Sequence, residues 1–283
     1  MKQLLIIISL LTALNSATAL AAYNQRSDVQ DFISEMVAQH GFDQNKLQAL
    51  MKNVQKQTTA IDAIARPAEG KPWKEYRPIF LTKKRISNGV KFWREHHEEL
   101  EKAEAHFGVP AEIIVAIIGV ETFYGKRAGN YPVLDALTTL GFDYPLENTT
   151  KERQQRRELF FRKELKEYLL MSREEKADPR GFKGSYAGAM GMPQFISSSF
   201  RAYAVDFDGD GKRDLWKSTA DAIGSVANYF KRHGWVKGKP IVSRAQVSSS
   251  AQKLGSKAMK PHTKVKDFKK QGAVPLQAFA DDE

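Results

Sequence analysis

The 283-residue chain contains no cysteine. Disulfides, thiol catalysis and thiolate-bound zinc are therefore excluded, as is lipid attachment through a cysteine. Acidic residues are also short, 33 Asp and Glu against 44 Lys and Arg, for a formal charge of +11. Such an excess calls for an anionic partner, whether nucleic acid, a membrane surface or an acidic polymer. No apolar run is long enough to span a membrane. Internal repeats are absent too. With 42% hydrophobic residues the chain has enough apolar material for a sizeable core.

The first 21 residues have the order of an export signal. Lys2 supplies the positive start, Leu4 to Leu14 the short apolar run, and Ala19-Leu20-Ala21 a cleavage site. The mature protein is expected to begin near Ala22, to be soluble, and to work in the periplasm as a monomer. No nucleic-acid motif accompanies the basic charge, and export argues against such a partner.

Apolar residues recur at helical spacing from 28 to 60, with Gly41 as a break. Pro67, Gly70, Pro72 and Pro78 predict an extended or turning stretch over 66–78. Helix resumes over 81–106, with Pro110 opening the next one. Residues 113–120 read Ile-Ile-Val-Ala-Ile-Ile-Gly-Val, a helix with no polar face and so buried on all sides. So many β-branched residues also suit a buried strand. Further helices are expected at 133–140, 151–173 and 219–233. From 237 to 270 the chain holds ten Lys or Arg and one acid, Asp267, among short apolar pieces.

Three segments carry chemistry. Glu121 ends the apolar helix, and Gly125 is a natural stop beyond it. A carboxyl group there is poorly solvated, so its neutral form is favoured and it can act as an acid. A buried Glu neutralised by an arginine or a backbone donor would look the same in sequence. Phe123 and Tyr124 are rings of the kind that line sugar clefts and also of the kind that fill cores. The second segment, Gly184 to Phe195, is rich in small residues that let a ligand approach the backbone, with Ser185 and Gln194 as hydrogen-bonding groups. The third, Asp206 to Asp214, places oxygen donors at positions 1, 3, 5 and 9 and a glycine at 6, as in an EF-hand loop. Position 12 is Lys217, so the usual bidentate glutamate is missing. An Asp/Gly-rich turn without metal is the alternative.

Taken together, Gly119-Val120-Glu121-Thr122-Phe123-Tyr124-Gly125, Leu134-Asp135-Ala136-Leu137, the Gly184–Phe195 run, Asp221 to Phe230 and His233-Gly234-Trp235 resemble the lytic murein transglycosylase B family. The order persists from about residue 28 to 240. The resemblance implies a mainly α (α+β) fold. Its parts would be a helical domain over 22–106, a lysozyme-like core over 107–236 and a small basic, β-containing segment over 237–283. It implies cleavage of peptidoglycan glycan strands between N-acetylmuramic acid and N-acetylglucosamine, leaving 1,6-anhydro ends and needing no catalytic cofactor. Glu121 matches the family's acid/base, Ser185 a serine beside it, Gln194 a cleft glutamine and Tyr229 a cleft tyrosine; Tyr124 joins them as a substrate-binding ring. A structural calcium ion would be held by Asp206, Asp208, Asp210, the Lys212 carbonyl and Asp221. The family pattern continues with a Tyr-Asn segment that this sequence, ending at Glu283, does not carry. A lysozyme-type hydrolase would need a second carboxylate, for which only Asp135 and Asp143 lie near in sequence. A wall-binding protein without turnover is the other reading.

Overall fold

The computed structural model describes residues 22–66, 71–147, 149–249, 254 and 262–279. The export-signal reading of residues 1–21 lies outside them. Contacts divide the chain into two compact units, Met1–Trp235 and Val236–Glu283.

The first unit is helical: α1 (Ser27–His40), α2 (Gln44–Lys52), α3 (Thr58–Ala65), α4 (Trp73–Phe80), α5 (Lys83–Glu95), α6 (His97–Phe107) and α7 (Ala111–Thr122) come first. Strand β1 (Tyr131–Pro132), α8 (Val133–Phe142), α9 (Lys151–Glu174), β2 (Lys183–Gly184), α10 (Ser197–Tyr203) and α11 (Thr219–Arg232) follow. Strands β1 and β2 pair antiparallel, Tyr131 opposite Gly184. Two bridges, Gly184 to Met190 and Met190 to Phe195, fold the glycine-rich run back on itself.

Two apolar clusters organise this unit. Val29, Phe32, Ile33 and Met36 of α1 pack with Leu137 and Leu140 of α8 and Phe161, Leu165 and Tyr168 of α9. Leu100 of α6, Ile114 and Ile118 of α7, and Ile223 and Val226 of α11 form the other. Each fully buried aliphatic side chain contributes about 1.5–3 kcal/mol relative to leaving it in water. Glu164 is buried on α9, and its carboxylate accepts from the Ser198 backbone N–H at 2.9 Å and the Ser198 hydroxyl at 2.8 Å, which caps the start of α10.

Two expectations are corrected. Residues 73–80 are helix, not extended chain: Pro72 precedes the first turn, and Trp73, Tyr76 and Phe80 stack along one face at 6.4 and 5.0 Å. Pro78 is tolerated because the helix is only eight residues long and buries none of them. Helix α7 is not enclosed on all sides. Ala111, Ile114, Val115, Ile118, Gly119 and Thr122 are buried, whereas Glu112, Ala116, Val120 and Glu121 are exposed.

The second unit pairs β3 (Ala245–Val247) with β4 (Ala273–Pro275), antiparallel, with α12 (Val265–Lys270) between them in sequence.

Candidate active site

Glu121 occupies the last turn of α7. The helix stops at Thr122 because Phe123 turns left-handed at φ 53°, and Tyr124 follows at 61°. The helix therefore ends three residues before Gly125. A left-handed non-glycine residue costs roughly 1–2 kcal/mol; two in succession need outside support. The Thr122 hydroxyl supplies some, donating to Met192 O at 2.8 Å and accepting from Gly125 N at 2.9 Å. Tyr124 supplies the rest: its hydroxyl donates to Arg85 O at 3.0 Å, and its ring lies where a Cβ on Gly119 would come within 2.6 Å.

Glu121 lines a cavity of about 240 Å³ with Gln194, Phe195, Ser199, Tyr229 and Ile117 among its neighbours. The residue is exposed because the cavity opens to solvent, yet its carboxyl is crowded on the inner side, and burial raises its pKa above the ordinary glutamate value. Among the described residues it has neither an ion pair nor a hydrogen bond. The neighbouring cation, Arg85, is used elsewhere: its guanidinium donates to Gly119 O and to Val120 O, the latter at 3.3 Å, capping the helix end. The neutralised-glutamate reading therefore finds no support.

Gln194 takes a left-handed φ of 54°, and its amide nitrogen donates to Ala128 O at 3.1 Å and Gly191 O at 3.0 Å. This fixes the side chain at the cavity wall. Tyr229 stacks on His233 with ring centroids 3.9 Å apart and touches Phe195 at 5.5 Å.

Glu121, Gln194 and Tyr229 are thus brought together, while Tyr124 and Ser185 are not among the cavity's lining residues. Tyr124, half-buried, wedges between α5 and α7 and lines a different concavity with Asn88 and Met192. The Ser185 hydroxyl accepts from Ala189 N at 3.0 Å and Ala187 N at 3.3 Å, closing its own turn. Pro193, Ile196, Ser199 and Phe230, which sequence reading did not single out, complete the wall. The Met-Pro-Gln-Phe run around Gln194 was the available signal for Pro193.

Among the described residues, no second carboxyl lines the cavity. Asp135 accepts from the Gln57 amide at 3.2 Å. Asp143 is held by Tyr23 at 2.6 Å, Arg26 at 2.7 Å and Lys56 at 3.3 Å. Burial alone would raise the Asp143 pKa, but these partners outweigh it and lower it.

In the acidic loop, Asp206, Asp208 and Asp210 each offer a carboxylate oxygen, all within 4.8 Å of one another. Asp221 stands outside that group. Its carboxylate accepts from Phe207 N at 2.7 Å and Asp214 N at 2.8 Å, closing the loop onto α11. Lys212 donates its backbone N–H to Asp210 at 2.9 Å. Three exposed carboxylates held this close repel one another, and hard oxygen donors of this kind fit a calcium ion.

The chain is similar to known proteins along most of its length. A family model described as a transglycosylase SLT domain matches residues 24–282. The chain is 45% identical over 228 residues to membrane-bound lytic murein transglycosylase B of Escherichia coli K12. That match covers 77% of this chain and 60% of the relative, so the chain spans less than two thirds of the relative's length. The crystal structure of catenated lytic transglycosylase SltB1 from Pseudomonas aeruginosa superposes with a TM-score of 0.85 at 51% identity, covering 92% of this chain and 83% of that one. The structure of Escherichia coli Slt35 in complex with calcium gives 0.79 at 41% identity, covering 91% and 78%.

Proposed function

Because the chain belongs to the transglycosylase SLT domain family, we propose that it is a lytic transglycosylase that cleaves the bond between N-acetylmuramic acid and N-acetylglucosamine in peptidoglycan. The observation that carries this reading is Glu121, among the described residues the lone carboxyl in an open cavity and without a counter-ion, with a pKa raised by burial.

Glu121 in its acid form protonates the bridging oxygen, and the bond from that oxygen to C1 of the muramyl sugar breaks. The resulting carboxylate takes the proton from the C6 hydroxyl of the same sugar, whose oxygen closes on C1. One group serves as acid and then as base, no water is consumed, and the new end is a 1,6-anhydro ring. A lysozyme-type hydrolase would instead place a second carboxylate across the cleft. Gln194 and Tyr229 hold the sugars against Glu121 by hydrogen bonding and ring contact.

The acidic loop would hold a calcium ion through Asp206, Asp208 and Asp210, with the Lys212 carbonyl and Asp221 completing the set; bound there it would stiffen the loop and supply no chemistry to bond cleavage. Slt35 having been crystallised with calcium supports this. The enzyme works in the periplasm after export. The Escherichia coli relative is described as membrane-bound; among the described residues here, no single helix is long and apolar enough to cross a membrane.

Incubating purified peptidoglycan with the wild type and with Glu121→Gln tests the assignment. The substituted amide keeps the shape but transfers no proton, so turnover falls about 10²–10⁴-fold. Unimpaired turnover in a well-folded variant contradicts the assignment.

A further inference from the structure

A second concavity, of about 380 Å³, lies among Phe182, Phe200 and Trp216 with Lys183, Lys212 and Lys217 around it. Its residues are not those of the Glu121 cavity. The aromatic part is built rather than incidental. The Trp216 indole N–H donates to Lys183 O at 2.8 Å, and its ring packs against Phe182 at 4.8 Å and Phe200 at 6.0 Å. Phe200 is itself fully buried, so the half-buried indole rests on the core.

The charge around it is unbalanced. Lys183, Lys212 and Lys217 are all exposed, and among the described residues none of their ammonium groups has an acidic partner. The acids that border the concavity are already engaged. Glu175 pairs with Arg213, and Asp214 accepts from the Trp216 and Lys217 backbone N–H groups, both at 2.9 Å. A rigid aromatic platform beside three uncommitted ammonium groups suits a ligand with one apolar face and several carboxylates.

We infer that this concavity binds the acidic stem peptides of peptidoglycan, away from the cleavage cavity. This rests on the peptidoglycan reading above. The glycan strand is neutral once its lactyl carboxyl is amide-linked to the stem, so the polymer's carboxylates reside in the peptides. Their methyl and methylene groups fit the indole, and their carboxylates match the lysines. Anchoring a stem here keeps the strand on the protein while the cleavage cavity samples successive sugars.

The test measures binding separately from cleavage, in a Glu121→Gln background that leaves the polymer intact. Co-sedimentation is run with sacculi that carry stem peptides and with glycan stripped of them by an amidase. Lys183→Glu/Lys217→Glu is expected to bind intact sacculi on the order of tenfold more weakly than its parent. It should bind stripped glycan equally and, in chelator, so that the reversal at Lys217 (position 12 of the acidic loop) recruits no ion, melt at the same temperature. Lys183→Gln/Lys217→Gln should show a smaller loss in the same direction, which covers a poorly folding reversal. A soluble stem tetrapeptide should displace the parent from sacculi. Several results overturn the inference: unchanged binding of the reversed variant, an equal loss on stripped glycan, or no binding of the parent to intact sacculi. An equal loss in the charge-matched Lys52→Glu/Lys151→Glu control, at two lysines that do not line the concavity, also overturns it. Failure of the enzymatic reading appears independently, as absence of wild-type turnover.

Discussion

The hydroxyl of Thr122 donates to the main-chain carbonyl of Met192 at 2.8 Å, tying the helix that carries Glu121 to the segment that carries Gln194. The Met192 N–H in turn donates to Leu215 O at 2.8 Å, in the loop that leads from the acidic cluster to α11. The cavity therefore depends on a short chain of hydrogen bonds between segments far apart in sequence.

Thr122→Val keeps the shape and removes the hydroxyl. The Met192 carbonyl and the Gly125 N–H lose their partner, which costs about 1–3 kcal/mol. Denaturant unfolding should show this loss, and turnover should fall further than stability alone explains, because Glu121 is the adjacent residue. Stability and turnover both at the wild-type level would show that the link is dispensable.

Gly191 has φ +68°, and a Cβ there would lie 2.6 Å from both the Cβ and the carbonyl oxygen of Leu215. Gly191→Ala should destabilise by more than the roughly 1–2 kcal/mol of a left-handed alanine alone. A thermal melt indistinguishable from wild type would mean that this approach is looser than described.

Burial raises the Glu121 pKa, so the folded protein holds that proton more tightly than the unfolded chain does. The associated stability is fully present below the unfolded pKa and is lost as pH rises through the folded one. Glu121→Gln cannot ionise. It should melt close to wild type in acid and above it near neutrality, with the gap opening across the carboxylate range. By the same sign, wild-type kcat/KM should decline as pH rises through the raised value, since the first step needs the acid form. A melting gap that does not change with pH would remove the premise.

Calcium that binds only the folded state stabilises it by mass action, about 2.7 kcal/mol at a hundredfold excess over the dissociation constant. Melting temperature should rise with calcium and fall with chelator. Asp210→Ala should abolish the difference; an undiminished shift in that variant would place the ion elsewhere.

Much of this was legible in the residues themselves. The helical period of α1 was readable because it puts one apolar stripe against the core, whereas α8, with nine of its ten residues buried, carries no such stripe. Glu121 stood out because a carboxyl at the end of an Ile-rich run is chemically out of place. The same run misled on burial: composition does not tell a core from a cleft wall, and Val120 is 43% exposed while Ile117 lines the cavity. Tyr124 read as a sugar-binding ring because it sits three residues from Glu121. Its place was decided by Gly119 and Arg85, which no local pattern reveals. Trp73–Phe80 was hidden by its prolines. The Thr122–Met192 link spans 70 residues and so leaves no trace in local spacing.

The most direct measurement is the mass of the soluble products released from purified peptidoglycan. On the proposed mechanism, with Glu121 the lone carboxyl among the described residues lining the cavity, the muramyl C6 oxygen should close the ring and the products should carry 1,6-anhydro ends, lighter by one water than their hydrolysed counterparts. Reducing-end products at the hydrolysed mass would contradict this and require a second carboxylate to activate water.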